Sequence, residues 1–132
     1  MSKVKLGNRP ESFPHTLKFP MLDGTEGVIT VDYKYRTRSE FAAFWDRITA
    51  TSDKAVAAET AGTEEGKRSL AKMFATANKK NAEDVMDMIT GWDLDEELSV
   101  QNVMQLNDEL PQAIATLVGD YYQALTTGRL GN

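Results

Sequence analysis

Apolar residues recur at two different periods along this chain, and the change of period divides it. Leu17, Phe19 and Met21 alternate with Lys18 and Pro20, and a turn signal runs from Asp23-Gly24 to Gly27. Ile29, Val31, Tyr33 and Tyr35 then share one face of a strand whose other face carries Thr30, Asp32, Lys34 and Arg36. Such period-two alternation predicts a β-hairpin with one buried and one wet face. Pro20 cannot donate to a ladder, so the first strand is expected at an edge. Residues 1–16, polar and broken by Pro10 and Pro14, are expected to form an irregular arm.

The period changes at Thr37. Thr37 and Glu40 have capping-box spacing, and Phe41, Phe44, Trp45 and Ile48 follow at i, i+3, i+4 and i+7. A helix is predicted from Arg38, with its aromatic face on the hairpin; residues 17–48 then form one hairpin-plus-helix unit. A flexible loop is expected over about residues 50–66, although the alanines there, with no proline among them, equally suit a longer helix. Residues 67–127 read as the helical part. Leu70, Met73, Phe74 and Ala77 share one helical face, and Val85, Met88 and Ile89 continue the pattern beyond Asn78-Lys79-Lys80-Asn81. Two short helices, the second capped by Asn81, are preferred to one straight helix.

Gly91 and Trp92 interrupt the helical pattern. Gly91 suits a left-handed helix C-cap, and Trp92 is expected to pin the joint by plugging the core. Ser99 is a candidate N-cap for a short helix carrying Val100, Val103, Met104 and Leu106. Pro111 suits the first turn of a final helix, whose apolar face runs through Ile114, Leu117, Val118, Tyr121, Tyr122 and Leu125 to a stop at Gly128. The predicted fold is α+β and helix-dominated: an N-terminal β-hairpin packed on a helix, then three to four further helices. It forms a single domain over residues 1–132, with Trp45, Gly91, Trp92, Pro111, Tyr121 and Tyr122 as architectural residues.

Composition narrows the chemistry. The chain has 132 residues, 41% of them hydrophobic, enough for one core. It has no cysteine and a single histidine, His15, expected as an ordinary surface side chain; neither a thiolate site nor a catalytic triad can be assembled. The acidic cluster Asp93, Asp95, Glu96 and Glu97 lacks the ligand spacing of a calcium loop and reads as a solvated turn, and no glycine-rich segment is followed by the Lys-Ser/Thr of a phosphate loop. No cofactor, metal or enzymatic activity is expected. The net charge of −5 is unevenly spread, with an excess of three basic residues up to Arg38 and an acidic remainder. An acidic body argues against nucleic-acid binding, and no apolar run is long enough for a membrane span or signal peptide.

The order of motifs resembles the tail assembly chaperones of long-tailed bacteriophages. The resemblance rests on KLGNRPESF with TLKFPMLDGTEG, on YKYRTRSEFAAFWD, and above all on ITGWDLDEELSVQNVMQLNDELPQAIATLVGDYYQAL. In that last stretch Gly91, Trp92, Asp93, Pro111, Tyr121 and Tyr122 stand where the family has an aromatic turn, an acidic stretch, a proline and paired aromatics. The resemblance implies a non-enzymatic protein of the host cytoplasm that holds the tape-measure protein, helps recruit tail-tube subunits and is absent from the finished virion. Many such proteins also exist in a longer, frameshifted form. Met73, Phe74, Met86 and Met88 are the expected partner-binding residues, in a groove rimmed by acids. Self-association is also expected, because a short hairpin and methionine-rich helices leave apolar surface to cover. The alternative is a small adaptor or structural tail protein that binds through its hairpin edge.

Overall fold

The computed structural model describes residues 3–61 and 69–129, with residues 51–61 described by backbone alone. Its elements follow the order β1 (Ser12–Pro20), β2 (Glu26–Lys34), α1 (Arg38–Ala61), α2 (Leu70–Met86), β3 (Ile89–Trp92), α3 (Val100–Glu109) and α4 (Pro111–Thr127). The fold is α+β, as the two hydrophobic periods predict.

β1 and β2 pair in antiparallel register from Ser12↔Lys34 to Pro20↔Glu26. β1 thus takes in the last residues of the expected irregular arm, because Phe13 and His15 extend the alternation that begins visibly at Leu17. Asp23 shapes the turn by accepting from the Thr25 amide at 2.9 Å and its hydroxyl at 2.6 Å. Phe19 lies across from Gly27, and a Cβ at Gly27 would come within 2.3 Å of the Phe19 ring. Only glycine allows that ring to lie flat against the neighbouring strand.

The sheet has a third strand, in the order β1-β2-β3. Gly91 and Trp92 belong to it, so the expected hinge is a strand: Val31 pairs with Trp92 and Asp32 with Gly91, with an irregularity before Tyr33↔Ile89. Gly91 is not in the left-handed region. α2 ends instead at Asp87, whose amide bonds back to Asp84 and Val85. Asp93 closes the strand by donating its amide to Thr30 O and accepting the Thr30 amide on its carboxylate, both at 3.0 Å. One member of the acidic run therefore completes a sheet ladder. Four residues containing a glycine give no readable alternation, which hides this strand in the sequence.

α1 begins with the expected capping box: Glu40 Oε1 accepts the Thr37 amide at 2.9 Å and Thr37 Oγ1 accepts the Glu40 amide at 3.2 Å. The helix continues to Ala61 where a loop was expected from about residue 50, so high alanine propensity prevails there; residues 62–66 lie outside the described residues. α2 is one helix, not two, and its N-cap is Ser69, which accepts from the Lys72 amide. Asn81 lies inside it. Ser99 caps α3, Pro111 occupies the first turn of α4, and Gly128 ends α4 in the left-handed conformation, all as predicted.

The helix lying along β1 is α4, from the far end of the chain, while α1 packs on α2 and α4. Tyr33 of β2 and Tyr121 of α4 are both fully buried, with ring centroids 4.9 Å apart. Tyr33 donates to Leu117 O at 2.7 Å, and Tyr121 donates to Lys34 O at 2.8 Å. Burial pushes both phenols above their ordinary pKa, so they stay neutral donors. Arg36, expected on the wet face, lies beyond the end of β2. It donates to Tyr121 Oη at 2.7 Å and Asp87 O at 2.8 Å while its guanidinium sits 4.0 Å from the centre of the Phe44 ring. His15 is no free surface side chain either: it stacks on Tyr33 and its Nε2 lies 2.8 Å from Asp120 Oδ2.

Candidate functional site

The two halves of α2 have different surroundings. In the C-terminal half Ala82 and Val85 are fully buried and Met86 packs against the core. Met88, in the short connection to β3, is only 1% exposed, so it is a core residue and not part of a binding surface. Its sequence spacing from Val85 gives no hint of this, because burial depends on elements that are distant in sequence.

In the N-terminal half, Leu70 is 63% exposed and Phe74, one turn further on, is 65% exposed. Met73 is half-buried between them and Ala77 is exposed. Leu70, Met73, Phe74 and Ala77 are the residues that share one face by helical spacing, and that face reaches water. Leu70 joins the predicted Met73 and Phe74; its i, i+4 relation to Phe74 is the signal that finds it. Exposed large apolar side chains on one helix face mark an interaction surface more strongly than scattered ones do.

Asn78 marks the boundary between the halves. Its Nδ2 donates to Met104 O at 3.0 Å and its Oδ1 accepts from Asn107 Nδ2 at 3.0 Å, which fastens α2 to α3. From Leu70 to Asn81 the helix carries Lys72, Lys79 and Lys80 and no acidic residue; its acids begin at Glu83. Lys80 pairs with Asp84, whose carboxyl is nevertheless raised above its usual range by burial.

The remaining predicted residues lie elsewhere. Trp45 is half-buried and packs at 5.0 Å edge-on against Tyr122, which stays 46% exposed beside the fully buried Tyr121. Pro111 starts α4. Trp92 is half-buried at the sheet edge and does not plug the core; its indole N–H donates to Glu96 O at 2.7 Å. With Leu94, Leu106, Gln105, Glu96 and Glu109 it lines a shallow groove of about 180 Å³ against α3. Two acidic residues, Glu96 and Glu109, are thus among those that line this second feature.

Among the described residues no group of three or more His, Asp or Glu side chains is placed to share a metal ion, and no helix is long and apolar enough to cross a membrane. What the geometry offers is two apolar surfaces, one on a stretch of α2 that carries lysines and one lined in part by Glu96 and Glu109. No curated protein and no solved structure matches the chain. The family model for phage tail assembly chaperones matches residues 1–132, the whole of it. The chain belongs to the phage tail assembly chaperone family.

Proposed function

We propose that this chaperone binds apolar helical segments of the tape-measure protein through the Leu70–Phe74 face of α2, as a single non-enzymatic domain in the host cytoplasm. It keeps those segments from aggregating while tail-tube subunits are recruited around them, and it leaves before the virion is complete. The observation that carries this reading is the pair Leu70 and Phe74, more than half exposed one helical turn apart. An amphipathic partner helix laid along such a face buries apolar area on both sides, at roughly 25 cal/mol per Å². Lys72 and Lys79 beside the stripe favour a partner segment that carries acids next to its apolar positions.

Binding through the hairpin edge has less support. The odd-numbered residues of β1 direct their amides to β2, as Met21 does to Thr25 O at 2.8 Å, so the even-numbered ones face outward. Pro14 and Pro20 are among these and have no amide proton, which blunts the edge against strand addition.

Co-expression with the tape-measure protein of the same phage tests the reading. The wild-type chain is expected to keep that protein soluble and to co-purify with it, and Leu70→Asp with Phe74→Asp is expected to lose both effects. Unchanged capture by the double variant, or finding the chain in purified virions, would overturn the reading.

A further inference from the structure

The two edges of the sheet differ in chemistry. β1 is blunted by Pro14 and Pro20, which offer no amide proton to an added strand, whereas β3, at the opposite edge in the order β1-β2-β3, contains no proline. The Asp93 amide donates to Thr30 O at 3.0 Å, and Asp32 stands opposite Gly91, so Gly91 and Asp93 turn their amides to β2. Trp92 lies between them. By the alternation of an antiparallel ladder its amide and carbonyl point away from β2, to the side where no further strand stands among the described residues. The irregularity before Tyr33↔Ile89 interrupts the ladder beyond Gly91, which keeps this regular edge short.

The groove against α3 lies beside the same residue. Side chains opposite each other on neighbouring strands share a face, so a residue set opposite Trp92 by a new strand carries its side chain on the indole side, toward the lining of Trp92, Leu94 and Leu106. The groove volume of about 180 Å³ is below the roughly 300–1,000 Å³ of small-molecule pockets, so it suits one or two aliphatic side chains rather than a cofactor. Its surroundings carry one sign of charge. Glu96 and Glu109 line it, Asp93 and Asp95 are exposed in the segment that follows β3, and from Asn81 to Gly128 the chain has no Lys or Arg. An occupant whose aliphatic residue stands between cations is attracted there, and an acidic one is repelled.

We propose that the β3 edge takes up an extended segment of another protein by antiparallel strand addition, with an aliphatic side chain opposite Trp92 in the groove and Lys or Arg two residues to either side. Residues two apart in a strand share a face, which brings these cations to Glu96 and Glu109. Backbone pairing supplies affinity, while the groove and its carboxylates select the sequence. The site uses none of the residues of the Leu70–Phe74 face and does not rest on that reading.

The capped peptide Thr-Lys-Thr-Leu-Thr-Lys-Thr, titrated into the isotope-labelled full chain and followed by nuclear magnetic resonance, tests the proposal. The Trp92 amide and indole signals are expected to shift, and exchange of the Trp92 amide with solvent to slow by about tenfold or more at saturation. N-methylation of the leucine removes the proton that would donate to Trp92 O, and glutamate in place of both lysines reverses the charge. Each change should raise the dissociation constant by about tenfold or more. Glu96→Lys with Glu109→Lys is expected to invert the preference between the lysine and glutamate peptides, and Leu70→Asp with Phe74→Asp to leave binding unchanged. No binding, equal binding of the N-methylated or the glutamate peptide, an unaltered preference in the folded groove variant, or dependence on the Leu70–Phe74 face would each overturn the proposal. So would loss of self-association by the groove variant in sedimentation, which would assign the groove to a second copy. Circular dichroism checks each variant; the peptide changes leave the protein untouched and decide alone if the groove variant misfolds.

Discussion

The N-terminal and C-terminal halves of α2 carry apolar residues at the same helical spacing and end in different environments. Val85 is sealed beneath other elements, while Phe74, three turns earlier on the same helix, faces water at 65% exposure. Helical spacing tells which side chains share a face. Whether the face is covered depends on which other element arrives there, and the elements packed on α2 are α1, α3 and β3.

Substitutions along α2 and its exit can break this contrast, from the largest effect to the smallest. Val85→Asp would bury a lone carboxylate among apolar side chains, and it is expected to abolish cooperative unfolding altogether, as seen by circular dichroism and loss of the thermal transition. Met88→Ala leaves a cavity at a site that was expected to be a binding surface. It should lower stability by about 2–5 kcal/mol in urea denaturation, whereas a loss near zero would return Met88 to the surface. At the boundary, Asn78→Ala removes the bonds to Met104 O and Asn107. A loss of about 1–2 kcal/mol is expected. Leu70→Asp with Phe74→Asp should change stability by only about 0.5 kcal/mol, the size of a surface effect, while capture of the tape-measure protein falls. A large stability loss there would show that the exposed half is held in the core like the other.

Much of the fold was legible because it depends on local chemistry. The Thr37–Glu40 box, Ser99, Pro111 and Gly128 each act within one turn of backbone, and the alternation of Ile29, Val31 and Tyr33 needs only a sheet with one covered face. The candidate site was legible in part. Phe74 and Met73 were visible through spacing, with Leu70 on the same face, but Met86 and Met88 carry the same soft, apolar chemistry and pack against or within the core. Methionine suits both settings, so residue type alone cannot separate them.

Gly91-Trp92 shows the other limit. A glycine and a large aromatic after an amphipathic run look like a cap and an anchor, yet they form a strand whose ladder bonds go to β2, more than fifty residues away in sequence. His15 and Arg36 were read from their immediate neighbours as surface side chains, and their partners Asp120 and Tyr121 arrive on the last helix.

The sequence by itself determined the hairpin, the starts of α1, α3 and α4 and the end of α4, the apolar faces, the lack of thiol chemistry and the family resemblance. These follow from backbone preferences and side-chain periodicity that act over a few residues. Only the tertiary structure decided that α4 covers the hairpin, that Gly91 and Trp92 complete a sheet, and that one half of α2 is core while the other is open to water. Those outcomes depend on contacts between residues far apart in the chain, for which short-range pattern holds no record.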